Sequence, residues 1–168
     1  DVTITINAVA TANAGADQTI CSPLTKAIIP NAIAGQVWSV ISKQNGTTPT
    51  FEVNGSITEV TGLTVDGVYT IRITQGACYD EVQILRKAQP NAGANITTCI
   101  TTASVNSASL SEIWSPVANP ANPSAATIDS FGDITGMINP GIYRFVLTAE
   151  NGEGCTDTVE VTKVDGVN

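Results

Sequence analysis

Wherever a period holds along this chain, it is a period of two. In Val68-Tyr69-Thr70-Ile71-Arg72-Ile73, the residues Tyr69, Ile71 and Ile73 fall on one face and Val68, Thr70 and Arg72 on the other. Ile142-Tyr143-Arg144-Phe145-Val146-Leu147 repeats the arrangement, gathering Tyr143, Phe145 and Leu147 and leaving Arg144 with the outward set. Alternation of this kind predicts strands with one face in a core and one in solvent. Each is followed by another strand, with Val82 and Ile84, or Val159 and Val161, inward, and Glu81, Gln83, Thr158 and Glu160 outward. Asp66-Gly67 and Pro140-Gly141 precede the Tyr strands, and Gln75-Gly76 and Asn151-Gly152 follow them, all dipeptides suited to tight reversals. No stretch sustains helical periodicity, so the fold class is all-β.

The strands belong to a repeat. Asn13-Ala14-Gly15-Ala16, Cys21, Trp38-Ser39, Thr61-Gly62-Leu63, Gly67-Val68-Tyr69 and Gly76-Ala77-Cys78-Tyr79-Asp80 recur in order. Their counterparts are Asn91-Ala92-Gly93-Ala94, Cys99, Trp114-Ser115, Thr135-Gly136-Met137, Gly141-Ile142-Tyr143 and Gly154-Cys155-Thr156-Asp157. The offset stays between 74 and 78 residues, the mark of a tandem array of one small module. The segment Val2-Thr3-Ile4-Thr5-Ile6 precedes the first Asn-Ala-Gly as Val82-Gln83-Ile84 precedes the second. Residues 1–10 are therefore expected to be the last strand of a preceding repeat, with repeats at 11–88 and 89–168 and a parent protein longer at both ends. The linker Arg86-Lys87-Ala88-Gln89-Pro90-Asn91 is short and holds Pro, which favours stacking end to end in a semi-rigid rod.

Units of this size are close to the lower limit for a single unaided core. Two cysteines per repeat at matching places suggest a staple, Cys21 with Cys78 and Cys99 with Cys155, each closing a loop that would stabilise its unit by roughly 4 kcal/mol. Buried free thiols are the alternative. Paired cysteines also place the chain in an oxidising, extracytoplasmic compartment. Short strands, a cysteine pair and one Trp per repeat describe an immunoglobulin-like sandwich. It is not the antibody pattern, because the second cysteine follows the Tyr by nine or twelve residues instead of two. A bridge from the first strand to the start of the last is expected instead. Trp38 and Trp114 sit inside strands, where core positions are preferred to sugar-stacking platforms; Tyr69 and Tyr143 complete the expected core aromatics.

Charge and residue types exclude more than they assign. The net charge is −8, with only seven Lys and Arg, which argues against nucleic acid or an anionic membrane as partner. Residues 1–88 carry seven acids and five bases, and 89–168 eight acids and two bases. There is no His, which removes Ser-His and Cys-His catalysis and the usual zinc sites, and no apolar run long enough to insert into a membrane. The acids lie in turns and on outward strand positions, so no enzyme is expected. Calcium is the one cofactor to weigh: Asp129-Ser130-Phe131-Gly132-Asp133 sets two carboxylates four positions apart, with Glu150 and Glu153 in another loop. Solvated turn residues are the preferred reading. Asp17, a further ligand candidate, has Asn95 as its counterpart. Repeat two has no Lys between Lys87 and Lys163, which rules out a shared isopeptide staple. Asn45-Gly46-Thr47, Asn54-Gly55-Ser56 and Asn95-Ile96-Thr97 fit the glycosylation pattern and point to exposed segments.

The phrase Asn13-Ala14-Gly15-Ala16-Asp17-Gln18-Thr19-Ile20-Cys21, the Gly67-Val68-Tyr69-Thr70 strand and the Gly76-Ala77-Cys78-Tyr79-Asp80-Glu81-Val82 ending resemble tandem repeats of very large Bacteroidota surface adhesins of gliding motility, the SprB type, kin to PKD-like Ig-fold repeats. The resemblance implies export across the outer membrane of a Gram-negative bacterium, display as a cell-surface filament and attachment to polysaccharide. Together the readings give two tandem immunoglobulin-like (PKD-like) β-sandwich repeats arranged end to end, serving as a structural and adhesive segment of such a filament. Its partners would be neighbouring repeats of the same chain and surface polysaccharide. The alternative is a carbohydrate-binding module, calcium-assisted or not.

Overall fold

The computed structural model describes residues 12–30, 32–117, 122–149 and 154–166. The expected leading strand at 1–10, together with Glu150, Asn151, Gly152 and Glu153, lies outside the described residues. The chain divides into two compact units, Asp1–Lys87 and Ala88–Asn168.

Unit 1 contains β1 (Gln18–Cys21), β2 (Ala27–Pro30), β3 (Val37–Ser42), β4 (Thr50–Asn54), β5 (Ile57–Thr61), β6 (Gly67–Gln75) and β7 (Cys78–Lys87). They form two sheets, one ordered β1-β7-β6-β3 and the other β2-β5-β4. β6 and β7 are the long pair, joined by the two-residue loop Gly76-Ala77 with Gln75 opposite Cys78 and Tyr69 opposite Ile84. Both strands bury alternate residues: Tyr69, Ile71 and Ile73, and Val82 and Ile84, are completely buried. They pack against Ala27 and Ile29 of β2 and Val60 of β5, so one core lies between two sheets. Each such aliphatic side chain contributes about 1.5–3 kcal/mol by burial, and the sandwich follows from the alternation.

Unit 2 repeats the plan with β8 (Ile96–Thr98), β9 (Ala103–Ser104), β10 (Glu112–Pro116), β11 (Thr127–Ile128), β12 (Asp133–Thr135), β13 (Gly141–Ala149) and β14 (Thr156–Lys163). Its sheets are ordered β8-β14-β13-β10 and β11-β12-β9, strand for strand the arrangement of unit 1. Tyr143, Phe145, Leu147, Val159 and Val161 fill its core with Ile134 and Met137 from the smaller sheet and the loop after it. The architecture is all-β, two immunoglobulin-like sandwiches in tandem.

The expected disulfide pairing is not formed. Cys78 and Cys99 are free and exposed, while Cys21 and Cys155 are in disulfide form. The reason is the direction of β1. It runs parallel to β7, with Gln18 opposite Ile84 and Cys21 opposite Lys87. Cys78 opens β7, nine residues from Lys87, so at about 3.3 Å per residue it lies about 30 Å from Cys21. A disulfide needs α-carbons about 4.4–6.8 Å apart. In unit 2, β8 runs parallel to β14 with Thr98 opposite Lys163, putting Cys99 beyond one end of β14 while Cys155 precedes the other. Neither Cys21–Cys78 nor Cys99–Cys155 can close.

Candidate functional site

The two units share the way the first strand is seated on the last. In unit 1, Asn13 Oδ1 accepts the Gly15 N–H at 2.9 Å, a short-range turn that directs the next peptide groups toward β7. The N–H of Ala14, a completely buried residue, donates to Asp80 Oδ2 at 2.8 Å across 66 positions of sequence. Three residues on, Asp17 Oδ1 accepts the Gln83 N–H at 2.8 Å. The parallel ladder of β1 on β7 follows and ends with Ser22 N–H donating to Lys87 O at 2.9 Å.

Unit 2 repeats the three side-chain bonds and closes its ladder with a backbone bond of the opposite sense. Asn91 Oδ1 accepts from Gly93 N–H at 3.1 Å, Ala92 N–H donates to Asp157 Oδ2 at 2.8 Å, and Asn95 Oδ1 accepts from Glu160 N–H at 2.9 Å. Val164 N–H closes the ladder on Thr98 O at 2.9 Å. The Asn-Ala-Gly-Ala signature and the Asp of the Cys-x-Asp ending are thus two halves of one clasp. Asp17 can be Asn95 in the second repeat because the task is to accept one backbone N–H, which an amide oxygen does as well as a carboxylate. Asp80 and Asp157 carry this clasp, and sequence reasoning gave them no role beyond marking the repeat; their recurrence two residues after the second cysteine was the available signal.

A parallel first and last strand has a mechanical meaning. Tension on the chain pulls β1 toward its N-terminal end and β7 toward its C-terminal end, in opposite directions along a common axis. The ladder is therefore loaded in shear, with its bonds strained together instead of one after another. β8 and β14 have the same geometry.

The expected core aromatics occupy these positions. Tyr69 and Tyr143 are completely buried, and each hydroxyl donates to a carbonyl four residues upstream, Val65 O at 2.7 Å and Asn139 O at 2.8 Å. This fixes the corner before each long strand. Trp114 is buried, with its indole N–H on Asn106 O at 3.1 Å. Trp38 is half-buried and packs on Phe51 with ring centroids 6.2 Å apart. On the outer face, Arg72 meets Glu81 and lies 4.2 Å over the Tyr79 ring, and Arg144 meets Glu160 at 2.7 Å, each pair directly opposite in register although at different places along the long strands. Half-exposed pairs of this kind contribute at most about 1 kcal/mol. Arg86, largely buried at the end of β7, pairs with Asp66 and donates to Leu24 O at 3.0 Å.

Asp129 and Asp133 share one turn. Asp129 Oδ1 accepts the N–H groups of Phe131 and Asp133, both at 2.9 Å, and Asp133 Oδ1 accepts from Ser104 Oγ at 2.7 Å. Among the described residues no group of three or more His, Cys, Asp or Glu is placed to hold a metal ion. A depression of about 350 Å³ is lined by Val40, Ile41, Ser42, Lys43, Thr48 and Pro49. No helix of the described residues is long and apolar enough to cross a membrane.

No protein-family model matches the chain, and no curated protein matches it. Among solved structures it is similar to the PKD domain of the KIAA 1837 protein, at 20% identity and a TM-score of 0.40 over 53% of this chain and 99% of that one. It is also similar to extracellular domains 3–5 of Drosophila OTK, at 11% identity and a TM-score of 0.40, over 90% of this chain and 60% of that one. A three-Ig fragment of titin gives 11% identity and a TM-score of 0.35, over 88% of this chain and 62% of that one. The chain thus spans under two thirds of the length of these last two. The fold itself rests on the strand order and register above.

Proposed function

We propose that the chain is a load-bearing, non-catalytic segment of a long extracellular surface adhesin, of the kind that gliding Bacteroidota display on the outer membrane of a Gram-negative cell. The observation that carries this reading is the clasp, built in both units with one geometry, beside a parallel ladder between first and last strands that tension loads in shear. Disulfide form at Cys21 and Cys155 supports an oxidising compartment. The partners are neighbouring repeats and, at some point along the filament, surface polysaccharide. The work is mechanical and needs no cofactor.

Single-molecule pulling tests the reading, with reductant present so that hydrogen bonds and not sulfur carry the tension. Pulled from the two ends, each unit should resist until its ladder breaks at once, releasing roughly 20–25 nm of chain. Pulled instead between residue 12 and the Gly76 turn, both at the same end of unit 1, β1 should peel off at a far lower force. Equal and low forces in the two geometries would remove the load-bearing function.

A second reading, a carbohydrate-binding module assisted by calcium, has one observation in its favour. Phe131 is 72% exposed in the turn between Asp129 and Asp133, an aromatic face beside two carboxylates.

A further inference from the structure

The two free cysteines stand at opposite ends of the repeat. Let the leading end of a unit be the one where the chain arrives, and the trailing end the one where it leaves. Cys78 opens β7 two residues before Asp80, which holds the arriving Ala14, so Cys78 marks the leading end of unit 1. Cys99 follows Thr98, on whose carbonyl the departing Val164 closes the ladder, so Cys99 marks the trailing end of unit 2. Both are exposed. Each repeat has one cysteine at each end, and the parallel register keeps them about 30 Å apart. A disulfide from either position therefore has to reach a cysteine of another repeat. Their counterparts, Cys155 at a leading end and Cys21 at a trailing end, are in disulfide form. The repeat thus uses both positions for bonds.

We propose that Cys78 and Cys99 are complementary coupling sites, the leading-end thiol of one copy of this chain joining the trailing-end thiol of the next. The pairing is heterologous, joining unlike ends, so each added copy brings one thiol of each kind and the product is a head-to-tail series of sandwiches. The inference uses the sulfur geometry alone and stands whether or not the units bear load. Chemically, the thiolate of Cys78 attacks a low-molecular-weight disulfide such as oxidised glutathione and releases one glutathione. The thiolate of Cys99 from a second copy then attacks the mixed disulfide and releases the other. Two protein thiols are oxidised to one disulfide, and one glutathione disulfide is reduced to two thiols.

The test is incubation of the whole chain at high concentration in a glutathione redox buffer, followed by non-reducing electrophoresis and peptide mapping. The expected result is a ladder in steps of 17.3 kDa that collapses on reduction, with Cys78 and Cys99 peptides joined. C78S and C99S, both at exposed positions and checked for fold by circular dichroism, should each lose the ladder. Mixed together they should regain a dimer linked between the remaining Cys99 of one and Cys78 of the other, several-fold in excess of symmetric dimers. Symmetric links in equal or greater amount, a Cys78–Cys99 link within a single chain, or a monomer bearing only glutathione adducts would each overturn the proposal.

Discussion

At the scale of single residues, the invariance between repeats falls where backbone geometry leaves no choice. Gly62 has φ +76°, and a β-carbon there would lie 2.5 Å from Thr48 O; Gly136 has φ +81°, and its β-carbon would lie 2.9 Å from Ala125 O. The Thr-Gly-Leu and Thr-Gly-Met landmarks are thus places where a turn in the left-handed region passes under a neighbouring carbonyl before inserting a buried Leu63 or Met137. Gly62→Ala should destabilise unit 1 by roughly 2–4 kcal/mol, strain and crowding together. That is a fall of at least about 8 °C in the melting midpoint of a domain this size, read by calorimetry. A change under about 2 °C would mean that the turn relaxes freely. The Tyr faces were legible because a period of two is local. The partner of Ala14, 66 positions away, was not, since no local pattern announces which carboxylate meets a buried N–H.

At the scale of elements, strand existence could be read from alternation, whereas strand direction could not. The cysteine spacing of 57 and 56 residues was the same in both repeats and implied a pair in each. Spacing carries no information about whether the first strand lies parallel or antiparallel to the last, and the parallel choice moves the sulfurs to opposite ends. Pairing by count therefore failed although the two long strands of each repeat were placed. The same elements make a prediction for the clasp. Asp80→Ala removes the acceptor of a buried N–H and should cost about 1–3 kcal/mol, with faster hydrogen exchange at Ala14 and through β1. Asp157→Ala should do the same to Ala92 and β8. Asp80→Asn, which keeps an acceptor oxygen as Asn95 does in its own place, should recover most of the loss. Unchanged exchange in both Ala variants would show that the ladder alone seats the strand.

At the scale of the whole molecule, the chain is acidic and poor in side chains that do chemistry, and its two units share strand order and clasp while differing in surface. Asp133 is engaged by Ser104, and Asp129 uses one oxygen on two backbone N–H groups, the arrangement of a self-sufficient turn. Adding excess chelator, or millimolar calcium, should therefore shift either melting midpoint by less than about 1 °C, because a cation bound only to the native state would raise it by mass action. A rise of several degrees with calcium would move recognition of glycans by the Phe131 turn ahead of load bearing.

The clasp also sets the order in which such a chain becomes a protein. Ala14 and Asp17 find their partners in β7, and Ala92 and Asn95 theirs in β14. The two halves of each clasp are 66 and 65 positions apart. A chain made from its N-terminus delivers the second half last, when nearly the whole repeat has been synthesised. Until then, the first strand has no ladder and the buried N–H of Ala14 or Ala92 no acceptor. Completion comes in quanta of one repeat: a chain stopped anywhere inside a module leaves that module open, and the modules already behind it shut.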